Sequence, residues 1–390
     1  MANNLSKGKK SKPMVREPGI SKRNITKRII ISVLLVIICI GLGALIFANV
    51  FKERVLNKVN YVPLDPNPTI IDDQGSVVSL SEVTNSETTE FPLPDYSYVH
   101  NILLIGIDSR AKGYSESGSG SLADCIVIMS INENDSTIKI TSIARDSYVY
   151  VPGHDDPMKI NAAMSYGGPE LLLSVISTTL RLDIDEYAYV NFYHMEKIIN
   201  AIGGVYVHVS ESERTNVAGG LNELIRDANL RLGDSEDMYL VYNSGSQKLN
   251  GRQAVAYARI RMVGNGDFAR SNRQMEILQS MVDQFMTLSA SSQLSTVETM
   301  ASHVTTNINK DQIEWYFFSF LSNMEKPTFE YLQLPLEGCS NQGIYSDIRS
   351  GEWSIRPDWN AMIPTVQEFI FGEQIPFDPV DSIPNAPNCE

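Results

Sequence analysis

"NILLIGID", residues 101–108, decides the fold. Six apolar or glycine positions run without a polar break from Ile102 to Ile107, and the run stops at Asp108. A short continuous apolar run bounded in this way is the profile of a strand buried on both faces. Such strands belong to sheets covered by helices on both sides. "ADCIVIMSIN" (123–132) and "TIKITSIAR" (137–145) are further strands, and the polar "ENDS" between them suggests a hairpin. "GGVYVHVS" (203–210) and "TFEYLQLP" (328–335) are further strands.

Helical patterns alternate with these strands. "PELLLSVISTTLRL" (169–182), "NFYHMEKIINAIGG" (191–204) and "NGRQAVAYARI" (250–260) are three of them. "DFARSNRQMEILQSMVDQFMTL" (267–288) carries Ile277, Leu278, Met281, Val282, Phe285 and Leu288 as one apolar stripe. "DQIEWYFFSFLSNM" (311–324) and "DWNAMIPTVQEFIF" (358–371) follow. The alternation predicts an α/β domain, one central mixed sheet sandwiched between helices over 99–372, with a C-terminal tail at 373–390.

Outward from the domain, residues 49–98 are polar and proline-punctuated and read as a stalk. Before them, "IIISVLLVIICIGLGALIFA" (29–48) is uncharged and mostly apolar, long enough as a helix to cross a bilayer. Residues 1–28 hold nine Lys/Arg against Glu17, a charge of +8 where the whole chain carries −14, so the remainder carries −22. Basic residues before a span stay cytoplasmic, which predicts a single-pass cell-membrane protein with its C-terminal domain extracellular. The span exceeds the apolar region of a cleaved signal peptide. The basic arm serves orientation, and no nucleic-acid partner is expected. Of four cysteines, Cys39 lies in the span and Cys125 in a strand. Cys339 and Cys389 remain to pair in an oxidising exterior, and pairing stays open.

The chemistry gathers at strand ends and helix starts. Asp108 and Asp124 flank two strands whose adjacency would bring their carboxylates to one hard cation. Each also fits a turn or cap. Arg145 and Asp146 end the third strand, as a site pair or a local ion pair. Arg259 and Arg261 follow "AVAYA", while Arg270, Arg273 and Gln274 lie in the first turns of a helix, where an anion is favoured. A solvated helix start capped by Asp267 is the plainer alternative. Lys159 and Asn161 precede a small-residue helix. No Walker-type loop, G-x-S-x-G elbow or metal-spaced His/Cys cluster is present, and the five histidines are scattered, which argues against a serine-hydrolase triad.

In this order, "NILLIGIDSR", "AD", "TSIARDSYVYVPG", "KINAAMSYGG", "AIGGVYV", "LNGRQAVAYARIR" and "GDFARSNRQ" resemble the LytR–CpsA–Psr family of cell-envelope phosphotransferases. The resemblance implies transfer of a glycopolymer, with one phosphate, from a polyprenyl-pyrophosphate carrier to peptidoglycan, as in attachment of teichoic acid or capsular polysaccharide. It assigns Asp108 and Asp124 to Mg²⁺ (Mn²⁺ as the alternative ion). It assigns Arg110, Arg145, Arg259, Arg261, Arg270, Arg273 and Gln274 to the pyrophosphate, with Asp108, Arg145 and Arg259 catalytic. Two departures stand out: Leu122 where the family usually has arginine, and Ala144 where it usually has proline. A non-catalytic regulator that binds anionic lipid-linked glycans and a polyprenyl-pyrophosphate hydrolase are the alternatives.

Overall fold

The computed structural model describes residues 49–84, 96–108, 121–134, 137–216, 218–322, 329–344, 353–387 and 389. The chain divides into Met1–Glu53 and Arg54–Glu390. Of the first unit only 49–53 are described, as helix, so the basic arm and the segment 29–48 lie outside the described residues. Among the described residues no helix is long and apolar enough to cross a membrane.

The second unit is built on a seven-stranded sheet. Its strands in chain order are β1 (Asn60–Tyr61), β2 (Val99–Asp108), β3 (Leu122–Asn132), β4 (Ile138–Ile143), β5 (Glu186–Asn191), β6 (Thr305–Thr306) and β7 (Phe329–Leu334). Across the sheet the order is β1-β6-β5-β2-β3-β4-β7. The β2–β3 and β3–β4 pairs are antiparallel, whereas β2–β5 and β4–β7 are parallel. The sheet is therefore mixed, and the hairpin expected at 133–136 joins β3 to β4.

Helices cover both faces. They are α1 (Ala163–Leu180), α2 (Phe192–Ile202), α3 (Leu221–Leu232), α4 (Gly251–Tyr257), α5 (Gly266–Met286) and α6 (Trp359–Phe371). Alternation along β2 assigns the faces. Leu103, Ile105 and Ile107 pack with Leu172, Val175 and Ile176 of α1 and Met362, Val366 and Ile370 of α6. Leu104, with Val127 of β3, meets Met275 and Leu278 of α5 on the other side.

Two expectations need correction. "GGVYVHVS" forms a strand, Val205–Val209, but it pairs with Gly245–Leu249 in a separate two-stranded antiparallel sheet rather than joining the central one. Its burial alternates, with Tyr206 and His208 outward, as a strand covered on one face requires. The stalk assignment for 49–98 is also corrected over its described residues. β1 pairs with β6 at the sheet edge, and Thr69–Ile71 pairs with Val77–Ser79 in a hairpin that buries Ile70 in the core. The proline-rich composition hid these short pieces.

Candidate functional site

Asp108 ends β2, and across the antiparallel pair it faces Leu122. Near that end the register slips: Gly106 faces Cys125, Ile107 faces Ala123, and Asp124 is left opposite no residue. This is a β-bulge, which bends a strand and re-aims a side chain. Its effect is visible in the packing. Ala123 lies in the same core cluster as Ile126 and Ile128, so alternation fails between 123 and 126. Asp124 and Cys125 consequently turn to the same face, the one α5 covers. Gly106 makes room for the slip, since a Cβ there would stand 3.0 Å from that of Cys125.

A cavity of about 180 Å³ opens at this end of the sheet, lined by Asp108, Asp124, Arg145, Phe192, Leu224, Arg259, Arg261, Arg270 and Gln274. Four guanidinium groups against two carboxylates leave it cationic, an environment for a polyanion. Arg145 donates from Nη1 to Asp124 Oδ1 and lies 3.5 Å from Asp146 Oδ2 through Nε. Asp146 is 5% exposed and sits behind the wall as a hub, also 3.0 Å from Arg261 Nη2 and 3.5 Å from Lys159 Nζ. Its backbone is fixed too: Ile355 N–H donates to Asp146 O over 3.0 Å. One buried carboxylate thus sets the positions of three cations.

Arg259 follows α4, whose start is fixed by a capping box between Asn250 and Gln253. Its guanidinium lies 4.9 Å from the centre of the Phe192 ring, and 3.9 Å from Asp227 Oδ2. Phe192 opens α2 directly after the Asn191 cap. Helix α5 begins at Gly266 and carries Arg270, which is 4% exposed, and Gln274, one turn apart on the cavity side. Gln274 donates from Nε2 to Asp124 O over 3.3 Å.

Arg273 requires a correction. It does not line the cavity; its Nε donates to Glu213 Oε1 at 2.7 Å, Nη1 to Ile260 O at 2.9 Å and Nη2 to Val263 O at 2.6 Å. Those carbonyls flank Arg261, so Arg273 shapes the loop that presents the site rather than the site itself. Arg110 lies outside the described residues. Phe192 and Leu224 were not singled out from the sequence, because an aromatic at a helix start and a leucine in a helix resemble core residues.

The residues present fit a Mg²⁺ ion in their chemistry. Asp108 and Asp124 offer hard oxygen donors in one cavity, and Mg²⁺ needs only one or two carboxylates when phosphate oxygens and water complete its shell. Arg145 takes one oxygen of Asp124 through the bond described above. Among the described residues no group of three or more His, Cys, Asp or Glu side chains is arranged for a metal.

A second cavity, about 310 Å³, adjoins the first and shares Phe192, Arg259 and Gln274 with it. Its walls are almost wholly aliphatic: Leu104 and Val127 from the sheet, Met195 and Ile198 from α2, Val255 from α4, and Met275, Leu278 and Met281 from α5. Cys125 also lines it, and burial pushes that thiol up to about 12 although Arg270 pulls the other way. The thiol is therefore protonated near neutral pH and behaves as a small apolar wall group. A charged mouth thus leads into an oily interior.

The LytR_cpsA_psr family model matches residues 73–352. The polyisoprenyl-teichoic acid–peptidoglycan teichoic acid transferase TagU of Enterococcus faecalis is 27% identical over 235 residues, 60% of this chain and 69% of its own. The polyisoprenyl-teichoic acid–peptidoglycan teichoic acid transferase TagT of Bacillus subtilis is 30% identical over 247 residues, 63% of this chain and 70% of its own. A crystal structure of a Streptococcus agalactiae protein shares the fold, with a TM-score of 0.59 at 21% identity over 74% of this chain and 93% of that one.

Proposed function

This chain belongs to the LytR–CpsA–Psr family, and from that premise we propose that it moves a glycopolymer from a polyprenyl-pyrophosphate carrier onto peptidoglycan. The observation that carries the reading is the pair of adjoining cavities. A ligand that fills both must have a polyanionic head and a long aliphatic chain. A polyprenyl pyrophosphate has both.

In the proposed reaction a sugar hydroxyl of peptidoglycan attacks the phosphorus next to the glycopolymer. The bond from that phosphorus to the bridging oxygen breaks, and polyprenyl phosphate leaves with the electron pair. The hydroxyl proton passes to a carboxylate or to water, with Asp108 as the carboxylate candidate. Phosphoryl transfer depends mainly on positioning and on neutralising charge. Arg145, Arg259, Arg261 and Arg270 supply both for the diphosphate, and Asp146 keeps two of them aimed. Asp108 and Asp124 would hold Mg²⁺, which when bound neutralises charge on the phosphate oxygens.

The direct test is transfer of a labelled lipid-linked glycopolymer to purified peptidoglycan by the full-length chain. Label in the insoluble wall supports ligation, and label released as free polymer indicates a hydrolase. Binding without either outcome indicates a regulator, the reading that Leu122 favours by removing an expected cation beside Asp108. Arg259→Ala is expected to weaken pyrophosphate-lipid binding roughly 10-fold to 150-fold, the value of one charge-assisted contact. Its melting temperature should stay within about 1 °C, because the Arg259–Asp227 pair is long and Asp227 is 38% exposed. A titration calorimetry series alongside thermal denaturation reads both.

The membrane topology is part of the proposal. Protease added to intact protoplasts should remove the domain after residue 49 and spare the basic arm. A protected domain would place it in the cytoplasm and defeat the reading.

A further inference from the structure

Of the C-terminal segment, residues 373–387 and 389 are described, and they are strapped across the domain rather than trailing from it. Ile375 N–H donates to Gln367 Oε1 at 3.0 Å, and Asn360 exchanges two bonds with Val380 at 2.8 and 2.9 Å. Ile383 is buried in the main core, and Arg356, itself fully buried, donates to Pro384 O over 2.7 Å. Asn341 donates to Asn385 O at 2.9 Å. The strap ends where Cys389 N–H donates to Asp358 Oδ2 at 3.1 Å.

That end point lies at the base of a hairpin, Ser340–Ile344 paired with Trp353–Pro357. Cys339 stands immediately before the hairpin and Asp358 immediately after it, with Asp358 N–H donating to Cys339 O at 3.0 Å. The Cys389 thiol lies 3.5 Å from the carbonyl oxygen of Gly338, the residue next to Cys339. Both are free thiols in this structure. The hairpin is also the element whose Ile355 pins the backbone of Asp146.

We propose that Cys339 and Cys389 close a disulfide that locks the strap to the base of this hairpin. Of the remaining cysteines, Cys125 is walled into the apolar cavity and Cys39 lies in the apolar 29–48 segment, so neither competes. The oxidant is a second disulfide, either a dithiol oxidoreductase in its oxidised form or oxidised glutathione. One thiolate attacks it, forming a mixed disulfide and releasing one thiolate of the oxidant. The second cysteine then attacks the mixed disulfide, forming the Cys339–Cys389 bond and releasing the other thiolate; two protons go to solvent. Only the natural supply of oxidant rests on the extracellular reading; the pairing rests on geometry. Burial and the Cys339 thiol push Cys389 up to about 12, so alkaline pH raises its thiolate share and favours closure.

The test uses the full-length chain in detergent, incubated at pH 8.5 with oxidised or reduced glutathione, then digested without reductant. The expected result is a 339–389 cross-linked peptide, two hydrogens lighter than the separate thiols. Closing this loop should raise the melting temperature by roughly 4–8 °C, reversed by dithiothreitol. Cys339→Ser and Cys389→Ser should each keep the reduced protein's melting temperature and lose the oxidative rise. Iodoacetamide labelling of both thiols after oxidation, or glutathione adducts with no cross-link, would overturn the proposal. Because the chemistry is read on purified protein, this result is separable from failure of the protoplast experiment.

Discussion

Arg273→Ala is expected to lower the melting temperature by roughly 6–10 °C, although Arg273 touches no part of the charged cavity. Arg273 is 6% exposed and Glu213 is 7% exposed, and their 2.7 Å contact is a buried ion pair. Removing one partner of such a pair costs about 3–5 kcal/mol, because the other charge stays buried without compensation. In a domain of this size each kcal/mol moves the midpoint by about 2 °C. The pH dependence checks the cause. Burial works to raise the Glu213 carboxyl, but hydrogen bonds from Ser210 and Arg273 outweigh it and hold the group below the usual carboxylate range. A depressed folded pKa stabilises the protein above the unfolded value of about 4.3, and that stability is lost as pH falls through the folded value. In the variant, Glu213 keeps the Ser210 bonds but loses the Arg273 cation, so burial weighs more on its charged form and protonation by acid relieves the variant, while the wild type loses little until pH falls below about 4.3. The gap between their melting temperatures should narrow from pH 7.5 to pH 4.5. A gap that stays constant would mean that the loss comes from the Ile260 and Val263 carbonyls instead.

Why the sequence reading placed Arg273 in the anion site is a matter of what a helix pattern contains. Residues 270 and 274 share a face by spacing alone, whereas residue 273 lies to one side and belongs to whichever neighbour attracts it. That neighbour is Glu213, sixty residues earlier and held by the Ser210 capping box. No local pattern announces it. The core strands behaved differently. Residues 102–107 and 126–128 are apolar because helices cover both faces of the sheet, so burial itself wrote the pattern. "GGVYVHVS" carried its own warning in strict alternation, the signature of a strand with one wet face. β5 was missed because its tyrosines, Tyr187 and Tyr189, alternate with small residues and the segment runs straight into α2. β1 and β6 are two residues each, below what periodicity can resolve.

The position of Asp124 shows the limit more sharply. Sequence suggested two carboxylates on neighbouring strands, and β2 and β3 are indeed paired. Unbroken alternation, however, would place Asp124 on the same side as Ile126 and Ile128, in the core beneath α1. The bulge opposite Gly106 reverses this, and only the pairing register reveals it. The apolar cavity was hidden for a related reason. The stripe on α5 reads as ordinary core, and nothing in the spacing of Met275, Leu278 and Met281 distinguishes a packed core from an oily cavity.

Asp108→Asn is expected to reduce polymer transfer to peptidoglycan by at least about 100-fold, with pyrophosphate-lipid binding weakened far less. The size follows from removing one preorganised charge-stabilising group at a reacting centre. Binding survives because Arg145, Arg259, Arg261 and Arg270 still line the cavity. Asp124→Asn is expected to be as damaging, but with a second effect that Asp108→Asn lacks. Asp124 accepts from Arg145, so its neutralisation also frees a guanidinium to shift towards Asp146. The two variants should therefore separate: Asp108→Asn changes turnover with little change in lipid affinity, and Asp124→Asn changes both. If the carboxylates act through Mg²⁺, chelation with EDTA reproduces the Asp108→Asn defect in the wild type, and added Mg²⁺ restores activity to the wild type alone. If Asp108 acts only as a base, EDTA leaves the wild type active while Asp108→Asn remains inactive. Full activity in both variants would remove the carboxylates from the reaction and leave the arginines as a binding site without chemistry.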